Sequence, residues 1–278
     1  MNVSSYRSGT HAIAERIEDA RAESTRLFAI PAVHRAMLPP PILAELSAVK
    51  HAIDADLARG PDIHALTRLD DALEALRALR VRVDEVVARA RRCPREVPVL
   101  PPPHWSFALR VPLRIEDAIR AQLPHAKIST HGIGMLAQLE HYGTPLHFVA
   151  RGYAKSPWRA RSYDTWLECW LRARAPVGPR MELRTRTEYK RTLDRSGNVV
   201  PAYCAFDEAF EMRGDPHLVA ELLDRDACEA LSWMAVYEPT LTVGDGAIEL
   251  AWLDRYNPVR PMLQGAMLHL VSTIASRF

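Results

Sequence analysis

The spacing of apolar and polar side chains changes period once along the chain. Up to about residue 92 apolar residues recur every three or four positions, the mark of helices with one buried face. Beyond residue 104 stretches of strict alternation appear, the mark of half-buried strands. In the first part Thr10 stands where it would cap a helix running from His11 towards Phe28, and Pro31 and the run Pro39, Pro40, Pro41 interrupt the chain beyond it. A second helix is expected from Ile42 to Arg59, ended by Gly60. The third is the most regular. Asp62 is placed as its N-cap, and Leu66, Leu69, Leu73, Leu76, Arg80, Val83, Val87 and Ala90 keep a 3-4-3-4 spacing, interrupted at Arg80. Such a stripe has to pack on something. An intramolecular hairpin through Gly60-Pro61 would bury it, and so would a coiled-coil seam between two chains.

In the second part Trp105 to Val111 and Leu146 to Tyr153 read as strands, with a short helix over Ile115 to Leu123. Thr165, Leu167, Cys169, Leu171 and Ala173 alternate with Trp166, Glu168, Trp170, Arg172 and Arg174. After a turn at Pro176 to Pro179, Met181, Leu183, Thr185, Thr187 and Tyr189 alternate with Glu182, Arg184, Arg186, Glu188 and Lys190. These two runs are expected to pair as a hairpin with one apolar and one charged face. A loop at Ser196-Gly197-Asn198 leads to a strand ending at Phe206. Asp215-Pro216 opens a helix, Asp226 is expected to cap the next one through Trp233, and Leu241 to Leu253 folds back around Gly244-Asp245-Gly246. Pro261 to Phe278 has helical spacing and is expected to dock on the sheet.

The fold class expected is α+β: a helical segment over 1–93 as a hairpin or three helices, a proline-rich linker over 94–104, and a largely antiparallel sheet with packed helices over 105–278. Aromatic usage sharpens that boundary. All six tryptophans, seven of the eight tyrosines and five of the six phenylalanines come after residue 103, where Pro101, Pro102 and Pro103 interrupt any helix.

The strand at Gly152-Tyr153, the Trp166 strand, Met181-Glu182-Leu183-Arg184, Phe206-Asp207-Glu208-Ala209-Phe210, Gly214-Asp215-Pro216 and the Gly244-Asp245-Gly246 turn occur in an order that resembles a group of bacterial α+β domains of unknown function. The resemblance covers residues 105–278. Domains of that group often sit behind helical or membrane-anchored N-termini, so the resemblance implies an α+β fold and no particular chemistry.

Composition is close to the globular average, with 48% hydrophobic and 25% charged residues and a net charge of +2, which leaves local charge as the informative quantity. Cys93, Cys169, Cys204 and Cys228 are widely spaced, as structural thiols in a reducing compartment would be. No apolar stretch is long enough for a signal h-region or a membrane span, so a cytoplasmic protein is expected. Arginine outnumbers lysine 32 to 4, a bias expected of a GC-rich bacterial genome, and arginine is thus the default cation of this chain.

Charge divides the second part: residues 104–192 carry a net +8 and residues 193–278 a net −7. Trp166, Trp170, Arg172 and Arg174 beside Arg184 and Arg186 form a candidate binding face. Exposed aromatic rings interleaved with guanidinium groups could stack bases and neutralise phosphates, as single-stranded nucleic-acid binders do, while cross-strand pairing on a solvated face needs the same residue types. His125, His131, His141 and His147 lie close in sequence, but their spacings match no familiar metal site. Gly132, Gly134 and Ala137 fit GxGxxA without the acidic residue that should stand beyond it, and Ser47 to Lys50 fits SxxK without its companion motifs. Asp207 and Glu208 are adjacent and expected to point apart. No catalytic residue, cofactor or metal is assigned. The function expected is a non-catalytic bacterial interaction or scaffold protein with a protein partner or self-association through the N-terminal helices. Single-stranded nucleic-acid or polyanion binding on the Trp/Arg face is the alternative, and metal-dependent hydrolysis on the histidine cluster a second one.

Overall fold

The structure, a computed structural model, describes residues 3–59, 63–92, 108–109, 113–131, 134–153, 166–186, 205–255 and 265–278. The proline linker, the Ser196-Gly197-Asn198 loop with its adjoining strand, and the Asp62 cap lie outside these residues. The chain divides into two compact units, 1–93 and 94–278.

The first unit holds α1 (Val3–Phe28), α2 (Ala32–Ala36), α3 (Pro40–Ala58) and α4 (Ile63–Arg92). Thr10 lies inside α1 and does not cap it, because the helix begins seven residues earlier, at Val3. The proline run starts a helix as well as stopping one: Pro40 and Pro41 occupy the first turn of α3, where their missing N–H groups have no intrahelical acceptor to lose. Arg16 with Asp70, Arg77 with Glu23 and Arg80 with the Leu27 carbonyl keep an offset of 53–54 residues, so α1 and α4 run parallel. Asp56 with Arg68 and Glu45 with Arg82 spread outwards from the intervening turn, so α3 runs antiparallel to α4. The result is an up-down-up three-helix bundle.

Leu69, Leu73, Leu76, Val83 and Val87 are buried within it, and Leu79 takes the place in the stripe where Arg80 is an interruption on paper. Arg80 turns aside instead. Its Nη1 donates to the carbonyls of Leu27 and Ala29, the orphan acceptors at the C-terminus of α1. The α4 stripe is therefore covered inside its own chain.

The second unit contains one antiparallel sheet. Its strands are β1 (Ala108–Leu109), β2 (Lys127–His131), β3 (Gly134–His141), β4 (Thr144–Tyr153), β5 (Trp166–Arg174), β6 (Met181–Thr185), β7 (Phe210–Gly214), β8 (Thr240–Gly244) and β9 (Ala247–Arg255). They run in the order β2-β3-β4-β5-β9-β8-β6-β7, with β1 beside β4. With helices preceding the sheet along the chain and α9 packed on it, the fold is α+β.

The expected β5/β6 hairpin is not formed. β5 pairs with β4 and β9, β6 pairs with β7 and β8, and the β8/β9 hairpin is inserted between them. That insertion alternates basic and acidic parts of the sequence across the sheet. Arg172 of β5 reaches Glu249 of β9, and Arg180 reaches Asp245 in the β8/β9 turn, so residues from the two oppositely charged stretches pair directly.

One face carries the core. Phe148, Leu171, Leu183, Leu241, Leu250 and Trp252 point to it, and α9 (Gly265–Ser276) covers it with Met267, Leu270, Val271 and Ile274. The short α6 (Phe206–Ala209) runs into β7, and α7 (Pro216–Leu222) and α8 (Arg225–Met234) come next along the chain. Asp215 caps α7 as expected, accepting from the His217 N–H at 2.8 Å. For α8 the cap is Asp224 rather than Asp226: Asp224 accepts from the Ala227 N–H at 2.9 Å, and Asp226 falls in the first turn, beside the positive end of the helix dipole. No helix among the described residues is long and apolar enough to cross a membrane.

Candidate functional site

The second face of the sheet is built in lateral rows. Register places Leu136, Val149, Trp170, Ala251, Thr240 and Arg184 side by side across β3, β4, β5, β9, β8 and β6. Leu136, Val149 and Trp170 are 3%, 0% and 4% exposed and pack with Ala251 as a small apolar cluster. Trp170 is therefore not an open stacking platform. Val149 and Ala251 flank the ring in its row, and the Arg151 guanidinium lies over its face.

Charged rows flank the cluster. Arg151 and Glu168 stand opposite each other on β4 and β5, and Arg151 donates from Nε and Nη2 to Glu168 Oε2 at 3.1 and 3.0 Å. The guanidinium also lies 4.8 Å from the centre of the Trp170 ring, on its face. Burial raises the Glu168 carboxyl above its ordinary range, and Arg151 opposes that only in part. On the other side Arg172, 6% exposed, donates from Nε to Glu249 Oε2 at 2.6 Å.

The six residues of the predicted face thus part company. Trp170 and Arg172 are buried, while Arg174, Arg184 and Arg186 are exposed. Arg184 is on the same face as Trp170, as alternation requires, but two strands intervene, a lateral gap of about 14 Å. It pairs with Glu182 of its own strand, and Arg186 donates to the Phe210 carbonyl at the start of β7. Trp166 lies opposite Tyr153 and Arg255 in register, and its side chain is outside the described residues.

Arg174 differs from Arg151, Arg172 and Arg184 of this face, which are each paired with a glutamate. Among the described residues it makes no ion pair, and with Arg172, His147, Pro145 and Ala173 it lines a pocket of ≈ 210 Å³. His147 stands directly opposite Arg172. Burial first, then the positive charges of Arg174 and Arg172, lower its pKa below the ordinary histidine value, so the ring is neutral at pH 7. A concave site with two guanidinium groups and a neutral imidazole can receive an anion through charge and N–H donors.

His125, His141 and His147 do not converge. His141 lies on the α9 side of the sheet with Met135 and Ala137, whereas His147 lies on the other, because His141 pairs with Thr144 across the turn and His147 stands three positions further along β4, an odd offset that changes face. His141 instead approaches His269 of α9, and burial together with that second ring lowers its pKa. His125 is exposed in the turn before β2. No group of three or more metal-ligating side chains occurs among the described residues.

Nothing in the sequence singles out His147 with Arg174. The register that brings them together depends on β4 and β5 being neighbours, and the one local cue is the like-charged Arg172/Arg174 pair at one end of a strand. Comparison of the chain with protein-family models, curated proteins and solved structures gives no match.

Proposed function

We propose that this chain is a non-catalytic interaction protein that recognises an anionic group of its partner on the second face of its sheet. The observation that carries this is the contrast between committed and uncommitted charge. Arg151 and Arg172 are held by Glu168 and Glu249, while Arg174 projects from the same face beside a pocket with no carboxylate assigned to it among the described residues. Paired, buried charges fix the geometry of a surface, and a free guanidinium at its rim supplies recognition.

The burial of Trp170 removes one base-stacking ring from the nucleic-acid alternative, which then leans more heavily on charge and on steep salt dependence. Self-association through α4 loses its main support as well, since the apolar stripe already packs on α1 and α3. A cytoplasmic setting belongs to this proposal, on the wide spacing of the four cysteines.

The test is equilibrium binding at low ionic strength of three probes, inorganic phosphate, a single-stranded oligonucleotide and a glutamate-rich peptide, to the full chain and to its Arg174→Gln variant. Binding of at least one probe, weakened by the substitution, is expected. Failure of all three to bind would overturn the proposal.

A further inference from the structure

Resting on that proposal, we infer that the pocket between the ends of β4 and β5 seats one tetrahedral dianion, a phosphate group, held by Arg174 with His147 as a second donor, beside the Glu249-bound Arg172.

Size sets the class of ligand. At ≈ 210 Å³ the pocket lies below the ~300–1,000 Å³ of sites that enclose drug-sized molecules, so it takes a single ionic group and not a nucleotide or a folded peptide. Charge sets the sign. Arg172 and Arg174 project from alternate positions of β5 and so share one face, with His147 of β4 opposite Arg172. Glu249 of β9 takes both Nε and Nη2 of Arg172, which fixes that guanidinium and meets its charge, so among the described residues Arg174 carries the unpaired positive charge of the pocket. The remaining groups on this side are Gln138, opposite His147 on β3, Glu140, opposite Pro145 and exposed, and Lys127, opposite Gln138 on β2. Glu140 and the Arg172-bound Glu249 are the carboxylates on this side, among the described residues, that would oppose an incoming anion.

Geometry gives the site a readable coupling. His147 is kept neutral by two guanidinium groups and by burial, and an anion between them reverses the electrostatic part of that balance. Occupancy therefore raises the proton affinity of His147, and protonation of His147 in turn tightens the anion by the same factor. The imidazolium would then donate from both ring nitrogens, where the neutral ring donates from one.

A phosphate group can arrive as the free ion or as a monoester on a larger partner, and both offer the same oxygens. The experiment is nuclear magnetic resonance of the full chain with labelled histidine, tracking the His147 ring through a pH titration alone, with inorganic phosphate and with O-phosphoserine. The inference predicts an upward move of the His147 midpoint with a saturable ligand dependence. It also predicts affinity weakened about ten-fold or more by Arg174→Gln, the loss expected for one charge-assisted hydrogen bond. Arg213→Gln, on an exposed arginine of β7, should leave both unchanged, and Glu140→Gln should tighten binding. Tighter binding of phosphoserine assigns the group to a phosphorylated partner, and equal binding assigns it to the free ion. An unmoved His147 midpoint with both ligands overturns the inference; oligonucleotide or acidic-peptide binding that persists in that case would leave the broader anion-recognition proposal standing.

Discussion

Replacing Glu168 by leucine takes the carboxylate away from Arg151 where the side chains are only 12% and 5% exposed. Breaking such a buried pair by removing one partner costs about 3–5 kcal/mol, because the remaining charge stays desolvated. The contact of Arg151 with the Trp170 ring survives the change and recovers part of this, so a loss near the lower end, about 3 kcal/mol, is expected. Burial already raises the Glu168 carboxyl against the pull of Arg151, so the ionised pair is costly to keep. The double variant Arg151→Met with Glu168→Leu should then fall within about 1 kcal/mol of the natural chain, or exceed it in stability. The assay is urea unfolding monitored by tryptophan fluorescence. All six tryptophans lie beyond residue 103, so the signal reports the sheet unit even if the helical unit unfolds separately. A coupling energy of about 2 kcal/mol or more is predicted from the cycle. Single costs that simply add, within about 0.5 kcal/mol, would refute the buried-pair description.

Leu76→Ala, at a side chain with 0% exposure, should destabilise the helical bundle by about 2–5 kcal/mol, read as loss of helical circular dichroism at a lower urea concentration than the tryptophan transition. Asp224→Ala removes the half-exposed α8 cap and the partner of Arg277, for a combined loss of about 1–2 kcal/mol at pH 7. The Asp224 carboxyl is held below its ordinary value of 3.8, chiefly by the Ala227 N–H, so its contribution is present above that value and disappears as the pH falls through the lowered one. The gap between Asp224→Ala and the natural chain should close in acid, and a gap that widens there would contradict the assignment. Gly214→Ala forces a Cβ to 2.9 Å from the Arg180 carbonyl at a φ of +142°, and should cost about 1–3 kcal/mol in the same fluorescence assay.

Much of the fold was legible because local rules dictated it. The period of α4, the Asp215 cap, the Gly244-Asp245-Gly246 turn and the alternation of β6 all depend on residues within a few positions of one another. β3 is not legible from alternation because it opens with four consecutive buried residues, Gly134 to Ala137. The pairing of β5 failed for a different cause. Short turns favour sequential hairpins, but the β8/β9 hairpin arrives some seventy residues later along the chain and supplies the neighbours of β5 and β6, a choice made by the packed sheet as a whole. That one change decides the candidate face. With β4 and β9 on its flanks β5 becomes central, Trp170 and Arg172 become buried, and Arg174 at the strand end keeps its access to solvent.

Anion recognition at Arg174 is tested most directly by calorimetric titration of the full chain with sulfate, a tetrahedral dianion whose own charge stays constant between about pH 6 and pH 8, where histidine changes state. Saturable binding is predicted, tighter at the lower pH and about ten-fold or more weaker in Arg174→Gln. Heats no larger than dilution, or equal affinity in the natural chain and the variant, would contradict it.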